Sequence, residues 1–333
     1  MLINNLFQKF FILTNLITFS MSSLFFQDFL IIWFFMEINN LMFICYMSLQ
    51  LMNKKSIFLF YIIQIVSSLL MILPFIFNNF FMSINMNFFL MNLYLSLMIK
   101  LGIPPLHSWM PNISNFMNWN IMLIFLTIQK IIPLYVLSLI EIKYFIFNYL
   151  VISSLLISTY KMLNLLNIKM LMTYSSINQT SWMLFLIYMK NLLWMMYLFL
   201  YTLILFTVFF FISFFKFNSN FYLNTNLATN FNIMFLMLML NLASIPPLSF
   251  FLFKWLNIFI SIFNMNFHMI FLLMMISSFI LIYIYINLMI LTLFFYSIKF
   301  KFFYFPITLL NKNYLFLLLN FINLFLSFII ILL

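Results

Sequence analysis

Long apolar runs follow one another along almost the whole chain, and this feature restricts the fold more than any other. Hydrophobic residues make up 68% of the 333 positions, charged residues only 5%, and the mean hydropathy is +1.22. About a quarter of the residues in a soluble domain are charged, so this composition excludes that class. Because a membrane-spanning helix needs about twenty apolar residues, the sequence predicts an all-α membrane protein.

The spacing of the runs also argues against a transmembrane β-barrel, whose strands are short and alternate between apolar and polar residues. The chain has a single glycine, Gly102. We therefore predict a bundle of about 11 transmembrane helices that forms a single transmembrane domain over residues 1–333. The predicted spans lie near residues 2–21, 24–50, 56–77, 84–117, 118–140, 144–165, 169–189, 191–216, 230–265, 267–297 and 314–332.

The charges between these spans predict an orientation. Alternation of the spans divides the loop charges into two sets, and basic loops favour the inner side of a membrane. We therefore expect the N-terminus inside and the C-terminus outside. The inner set is Lys9, Lys54, Lys55, Lys161, Lys169, Lys216, Lys299, Lys301 and Lys312, and the outer set is Asp28, Glu141, Lys143 and Lys190.

The residue types within the apolar runs indicate the source compartment. Phe occurs 52 times and Met 29 times, and all 14 basic residues are lysine. These residues share A/T-rich codons, which is typical of an organellar genome, so we expect the mitochondrial inner membrane. The net charge of +11 is then explained by loop lysines that contact phospholipids such as cardiolipin, and we expect no nucleic acid as a partner.

Two of the predicted spans, near residues 84–117 and 230–265, are interrupted by the same sequence. Ile-Pro-Pro-Leu occurs at 103–106 and again at 245–248. Proline removes a backbone donor and clashes with the preceding turn, so we predict two discontinuous helices. Irregular backbone at membrane depth is tolerated where it is buried or lines a wet cavity, and paired breaks are typical of transporters built from inverted repeats.

Five ionisable residues fall near the middle of predicted spans: Glu37, Lys100, His107, Lys130 and Lys254. Charges at membrane depth are costly and face the bundle interior or water. We expect Glu37 to pair with Lys100. Burial disfavours a charged lysine and a nearby carboxylate favours it, so separating this pair would release a proton. The pattern predicts a proton relay with His107 as an accessory member.

Structural explanations remain open for each of these residues. Glu37 and Lys100 can form a static ion pair, Lys130 and Lys254 can snorkel towards the interface, and His107 can be a hydrogen-bonded structural histidine. With one glycine and no His, Cys or carboxylate spacing of the kind that binds metals, we expect this chain to bind no cofactor and no metal. The lone Cys45 excludes an internal disulfide.

Several segments resemble a known family: MEINN (36–40), IKLGIPPLHSWMP (99–111), LTIQKIIPL (126–134), IKMLMTYSSINQTSWML (168–184) and SIPPLSFFLFKW (244–255). In this order, over roughly residues 30 to 260, they are similar to the antiporter-like subunits of mitochondrial NADH dehydrogenase (respiratory complex I), in the subunit 2 family. The length resembles the animal form, and the composition resembles insect versions.

The resemblance implies roles for four residues. Glu37 and Lys100 match the family's carboxylate–lysine pair, Lys130 its central lysine, and Lys254 the lysine near the exit path. It further implies a core membrane-arm subunit that translocates protons, coupled to quinone reduction elsewhere in NADH:ubiquinone oxidoreductase. NADH, FMN, iron–sulfur clusters and ubiquinone would then be bound by other subunits. The implied partners are other membrane-arm subunits, including antiporter-like subunit 4 and the small subunit 4L.

The chain departs from the family pattern at its second break. Ala243 and Ser244 stand where the family is rich in glycine, and Phe250 replaces a glycine, so we expect a stiffer break. Two other functions fit the same features. One is a free-standing secondary cation/proton antiporter, and the other is a purely structural membrane-arm subunit whose charges hold helices together.

Overall fold

The computed structural model of the chain describes residues 2–51, 53–80, 86–190, 192–214, 237–246, 248–262 and 267–300. The prediction of an all-α membrane protein is confirmed, because these residues form helices and no β-strand. The helices are α1 (Leu2–Ser22), α2 (Phe29–Gln50), α3 (Lys54–Phe80), α4 (Met86–Leu101), α5 (Trp109–Ser114), α6 (Trp119–Leu126), α7 (Ile128–Leu139), α8 (Tyr144–Leu163), α9 (Ile168–Tyr188), α10 (Leu193–Phe214), α11 (Ser249–Ile262) and α12 (His268–Phe300).

Six stretches of the described helices are long and apolar enough to cross a membrane: Phe29–Gln50, Lys54–Ile76, Trp119–Leu139, Tyr144–Leu163, Leu193–Ser213 and His268–Leu288. Helix α9 has 21 residues but carries many polar side chains, described below. The predicted span at 314–332 and the expected loop at 216–230 lie outside the described residues. The limits of the two broken helices and of the single domain stay predictions.

The first Ile-Pro-Pro-Leu sequence follows a helix end. Helix α4 ends at Leu101, and Gly102 adopts a φ of +65°. The Ile103 amide donates to the Met98 carbonyl (3.0 Å) and the Gly102 amide to the Ile99 carbonyl (3.2 Å), which is the Schellman pattern of a helix C-terminus. A Cβ atom at Gly102 would lie 2.9 Å from the Met110 sulfur. Glycine is therefore favoured at this position both by the left-handed backbone and by the close approach of the Met110 side chain.

The second Ile-Pro-Pro-Leu sequence follows a helix end of the same form. Residues 237–243 are helical, and Ser244 adopts a φ of +60°. The Ser244 amide donates to the Asn241 carbonyl (3.0 Å) and the Ile245 amide to the Leu240 carbonyl (3.3 Å). A non-glycine residue in this left-handed conformation is strained by about 1–2 kcal/mol, so the serine side chain has a cost here that glycine would not have.

A further helix break has neither proline nor glycine at its centre. The predicted span 118–140 is two helices, α6 and α7, that meet at Thr127 (φ −116°, ψ −77°). The Thr127 hydroxyl donates to the Leu123 carbonyl (2.7 Å), and the Thr127 carbonyl accepts from the Lys130 amide (3.0 Å). The break therefore lies one turn before Lys130, which the sequence predicts to be a relay residue.

The chain divides into two compact units. Unit 1 comprises Met1–Ser154 with Ile187–Lys190, and unit 2 comprises Leu155–Leu186 with Asn191–Leu333. In unit 1, rings from four helices form one aromatic cluster: Phe43–Phe60 centroids are 5.1 Å apart, Phe60–Trp109 6.2 Å and Trp109–Phe125 5.8 Å. The Trp109 indole N–H donates to the Ile99 carbonyl (3.1 Å), so the cluster also satisfies a carbonyl near the end of α4.

Candidate functional site

The pair expected from the sequence is present in unit 1. Glu37 lies in the middle of α2 and Lys100 in the last turn of α4. The Lys100 Nζ donates to the Glu37 Oε1 at 3.0 Å, and the two side chains are 2% and 25% exposed respectively. A helix C-terminus favours a cation, so the end of α4 adds to the attraction of the carboxylate. The Glu37 side chain is less buried than that of its partner.

A second ion pair in the same unit provides a contrast. Lys190 Nζ lies 2.9 Å from Glu141 Oε1, but the two side chains are 78% and 88% exposed. The hydrogen bond from Lys190 holds the pKa of the Glu141 carboxyl below its usual range. Solvent screens such a surface pair. The two pairs thus have nearly equal lengths and very different surroundings.

Lys100 and Lys130 line one small cavity in unit 1. The space open to water in it is about 10 Å³, close to the least that one water molecule needs. The two lysine side chains belong to different helices, α4 and α7. The full lining is Met36, Asn39, Asn40, Phe60, Gln64, Lys100, Trp109, Met110, Phe125, Gln129, Lys130, Ile132 and Pro133.

The cavity wall carries amides as well as amines. Asn39 Oδ1, Asn40 Nδ2 and Gln129 Nε2 are buried and have no hydrogen-bond partner among the residues that the structure describes. Buried polar atoms are nearly always paired, with protein or with ordered water. A water molecule has two donors and two acceptor sites, so it can bond such amides and a lysine amine together. The polar groups of the wall can therefore bind a water molecule, although the rest of the lining is apolar.

Helix geometry places Lys130 at this wall. Lys130 is 3% exposed and lies in the first turn of α7, directly after the break at Thr127. Pro133 lies inside the same helix and has no amide hydrogen to offer the carbonyl one turn earlier, at Gln129. This short helix thus begins at an irregular turn and contains a second irregular position, and Lys130 lies between them.

Lys254 belongs to unit 2 and has different surroundings. It is 4% exposed and lies in α11, beyond the second Ile-Pro-Pro-Leu turn. Its Nζ donates to the Ser244 hydroxyl at 2.8 Å. The same Nζ lies 5.4 Å from the centroid of the Trp182 ring and 5.7 Å from that of Phe250. Both lysines expected to snorkel under the structural explanation, Lys130 and Lys254, are thus buried.

His107 lies apart from the cavity that the two lysines share. The residue is half-buried, in the turn between α4 and α5, and its Nδ1 is 3.2 Å from the Pro105 carbonyl oxygen. It is not part of the wall described above. Of the five residues selected from the sequence, Glu37, Lys100 and Lys130 come together, and Lys254 has its own site. The role of His107 stays a prediction.

Sequence reasoning missed a polar face inside unit 2. Helix α9 carries a run of fully buried polar residues: Thr173, Ser175, Ser176, Asn178, Gln179, Thr180 and Ser181. Gln179 Oε1 accepts from the Tyr197 hydroxyl at 2.6 Å, and Asn178 Nδ2 donates to the Ser158 hydroxyl at 3.3 Å. The signal was available, because these polar residues lie close together within a predicted span, with Ile177 as the apolar residue among them.

These groups favour one kind of chemistry. Amines, a carboxylate, amides and hydroxyls can donate and accept protons, and burial makes each proton position depend strongly on its neighbours. Among the residues that the structure describes, no three His, Cys, Asp or Glu side chains come together as a metal site would need. The described arrangement is suited to moving protons at membrane depth.

Comparison with known proteins gives a family-level match. The family described as NADH:quinone oxidoreductase/Mrp antiporter, transmembrane, matches residues 26–281. NADH-ubiquinone oxidoreductase chain 2 of Anopheles gambiae is 38% identical over 169 residues, which are 48% of each chain. The protein of the same name from Artemia franciscana is 27% identical over 235 residues, 68% of this chain and 72% of the relative. The chain thus spans about half the length of the mosquito relative.

Solved structures show the same fold at low sequence identity. A chain of respiratory complex I from Thermus thermophilus has a TM-score of 0.79 and 16% identity, over 96% of this chain and 78% of that chain. A chain of the Mrp complex from Dietzia sp. DQ12-45-1b has a TM-score of 0.66 and 12% identity, over 84% of this chain and 59% of that chain.

Proposed function

Because this chain belongs to the NADH:quinone oxidoreductase/Mrp antiporter family, we propose that it moves protons across a membrane as a membrane-arm subunit of an NADH:ubiquinone oxidoreductase. The names of the chain 2 relatives support this choice within the family. The observation that carries it is the shared cavity, which has the ion-paired Lys100 and the buried Lys130 in one wall. A single water there would link the two amines.

The proposed step in unit 1 begins at the ion pair. While Glu37 lies 3.0 Å from Lys100, the carboxylate stabilises the ammonium form. When Glu37 moves away, the buried ammonium loses that stabilisation and desolvation disfavours its charge. Lys100 then gives its proton through a bridging water to the neutral amine of Lys130. Lys100 becomes a neutral amine and Lys130 an ammonium, so charge and protons balance.

Unit 2 supplies a third buried amine for the proposed pathway. Lys254 is 4% exposed and has a hydroxyl and two ring faces around its Nζ. We assign it the role of the relay lysine that follows Lys130 in the pathway. The buried polar face of α9, which holds the Gln179–Tyr197 hydrogen bond, offers further proton donors and acceptors in this unit.

The proposed function implies a location and a set of partners, which we propose as well. The chain would lie in the mitochondrial inner membrane, with its N-terminus on the matrix side and its C-terminus on the intermembrane-space side. It would contact other membrane-arm subunits, including antiporter-like subunit 4 and the small subunit 4L, and phospholipids such as cardiolipin. NADH, FMN, iron–sulfur clusters and ubiquinone would be bound elsewhere in the complex, and none by this chain.

A free-standing cation/proton antiporter is the second candidate, favoured by the fold that the chain shares with the Mrp complex. The two candidates differ in assembly. Solubilised in mild detergent, a complex I subunit should migrate with a very large particle that oxidises NADH. An antiporter should migrate without that activity and exchange cations for protons in vesicles.

Replacement of the two lysines tests the proposal. Lys130→Met and Lys254→Met should each lower the number of protons moved per NADH oxidised, because each removes the only titratable atom of its side chain. Lys190→Met is the matched control, since Lys190 is 78% exposed in its ion pair, and it should move protons as the parent does. Full pumping in both Lys130→Met and Lys254→Met would overturn the proposal.

A further inference from the structure

Ser244 has a backbone conformation that glycine adopts without strain. Its φ is +60°, and it occupies the position that Gly102 occupies in the other Ile-Pro-Pro-Leu turn, with matching backbone hydrogen bonds. The backbone at this turn needs no side chain. Serine adds one hydroxyl group to the turn. Any role of Ser244 beyond the backbone must therefore come from the contacts of that hydroxyl.

The Ser244 hydroxyl is bonded on both sides. Its Oγ donates to the Ala243 carbonyl, and it accepts from Lys254 Nζ at 2.8 Å. A serine hydroxyl has one proton and two lone pairs. A lysine ammonium has three donors and no acceptor, so its contact with the hydroxyl uses one of these lone pairs. The hydroxyl therefore accepts a hydrogen bond from the lysine. This bond is stronger when Lys254 is a charged ammonium than when it is a neutral amine.

The other contacts of Lys254 favour the same charged form. The Trp182 and Phe250 rings lie 5.4 and 5.7 Å from Nζ, within the distance at which a ring face attracts a cation. Lys100 is held by a carboxylate. Lys254 has a neutral oxygen and two ring faces in that place, which hold a cation more weakly. Such a partner set lets the ammonium form and also lets it discharge.

We propose that Ser244 is the positioning residue of Lys254: its hydroxyl, carried by the left-handed turn that ends one helix, holds Nζ of the next helix between Trp182 and Phe250. The serine at a position where glycine would be unstrained, as at Gly102, is then explained, because the strained turn supplies an acceptor to the lysine. This inference rests on the proposed function, in which Lys254 carries protons.

The test compares substitutions at one position in the intact complex. Ser244→Gly removes the hydroxyl and relieves the turn, Ser244→Ala removes the hydroxyl only, and Ser244→Asn restores an acceptor in a residue that tolerates positive φ. The control is Ser249→Ala, since Ser249 is buried in the same break and bonds Asn241. The rate of proton translocation and the thermal midpoint of the complex are measured for each variant.

The expected result separates positioning from stability. Ser244→Gly and Ser244→Ala should lower proton translocation by about tenfold, the factor that a hydrogen bond to a charged group supplies. Ser244→Gly should do so with an unchanged or raised thermal midpoint. Ser244→Asn should recover much of the rate, and Ser249→Ala should keep it. Added to Lys254→Met, Ser244→Gly should cause no further loss, because the two residues act as a unit.

Two other results are distinguishable. If Lys254→Met lowers pumping while both Ser244→Gly and Ser244→Ala pump at the parental rate, the positioning role is wrong and the proposed function stands. If Lys254→Met pumps fully, the role of Lys254 in the proposed function is wrong, and the inference about Ser244 fails with it.

Discussion

Gly102 and Ser244 occupy equivalent positions in two helix ends of the same form, with φ of +65° and +60°. Each is followed by Ile-Pro-Pro-Leu, and the amide after each donates to a carbonyl five residues earlier. The two residues differ in what lies beside the Cα atom. At Gly102 an added Cβ would crowd the Met110 sulfur at 2.9 Å, whereas the Ser244 hydroxyl contacts Lys254. The same backbone conformation thus allows close packing at Gly102 and a contact with a lysine at Ser244.

Substitution of Gly102 should destabilise the first break. Gly102→Ala places a Cβ atom in a left-handed conformation, which costs about 1–2 kcal/mol, and displaces the Met110 side chain as well. We expect a lower thermal midpoint of the purified protein. Ser108→Ala is the control, because Ser108 is exposed in the same turn, and it should leave the midpoint unchanged. Equal midpoints for both variants would contradict the role of Gly102.

The two ion pairs of unit 1 allow a matched comparison of charge removal. Glu37→Gln should lower proton translocation by about tenfold or more, because Lys100 is 2% exposed and its buried ammonium loses its carboxylate. Glu141→Gln removes a pair of nearly the same length at the surface, where solvent screens the attraction, and should pump normally. Both are measured as protons moved per NADH oxidised.

The amount of assembled complex interprets the outcome at Glu37. A purely structural ion pair would lower the amount of assembled complex in Glu37→Gln before it lowered pumping per complex. If assembly falls and the assembled complexes pump at the parental rate, Glu37 holds helices together and takes no part in proton transfer.

Several features of this fold follow from rules that act on the local sequence. Pro-Pro pairs predict the two helix breaks because proline lacks an amide hydrogen, and the pairing of Glu37 with Lys100 follows from the rarity of charge at membrane depth. The break at Thr127 has no such signal, since threonine occurs in unbroken helices too. Its hydroxyl bond to the Leu123 carbonyl is a contact that composition does not reveal.

The amides that line the cavity could not be predicted from the sequence, for a different reason. Asn39, Asn40 and Gln129 are polar residues in apolar runs, but the sequence does not say which helix faces meet. Their convergence on Lys100 and Lys130 depends on how α2, α4 and α7 pack. The site of Lys254 is predictable only in part for the same reason. Its place after the second break can be read from the sequence, and its contacts with Ser244 and Trp182 cannot.

The polar face of α9 makes a prediction about stability. Tyr197→Phe removes the hydroxyl that donates to Gln179 Oε1 at 2.6 Å and leaves a buried acceptor unpaired. An unpaired buried group costs about 1–3 kcal/mol, so the thermal midpoint should fall. Tyr160→Phe is the control, because Tyr160 is 68% exposed and loss of its hydroxyl leaves no buried group unpaired. A midpoint unchanged in Tyr197→Phe would mean that the Gln179 amide finds another donor.

Gln129 allows stability and proton transfer to be separated at the cavity. Its Nε2 is buried without a partner in the described part of the chain, and the residue lines the cavity beside Lys130. Gln129→Leu removes that amide and takes one hydrogen-bonding group from the wall, so the cavity holds a water molecule less well, since a buried water needs two to four polar partners. We therefore expect a thermal midpoint that is equal or higher and proton translocation that is clearly lower, because the proposed water bridge between Lys100 and Lys130 would lose a partner.

The control for this change is Asn148→Leu. Asn148 in α8 also has an amide oxygen that is buried without a partner, but it does not line the cavity. It should gain stability for the same reason and keep its rate of proton translocation. If Gln129→Leu translocates protons at the parental rate, the Gln129 amide takes no part in connecting the two lysines.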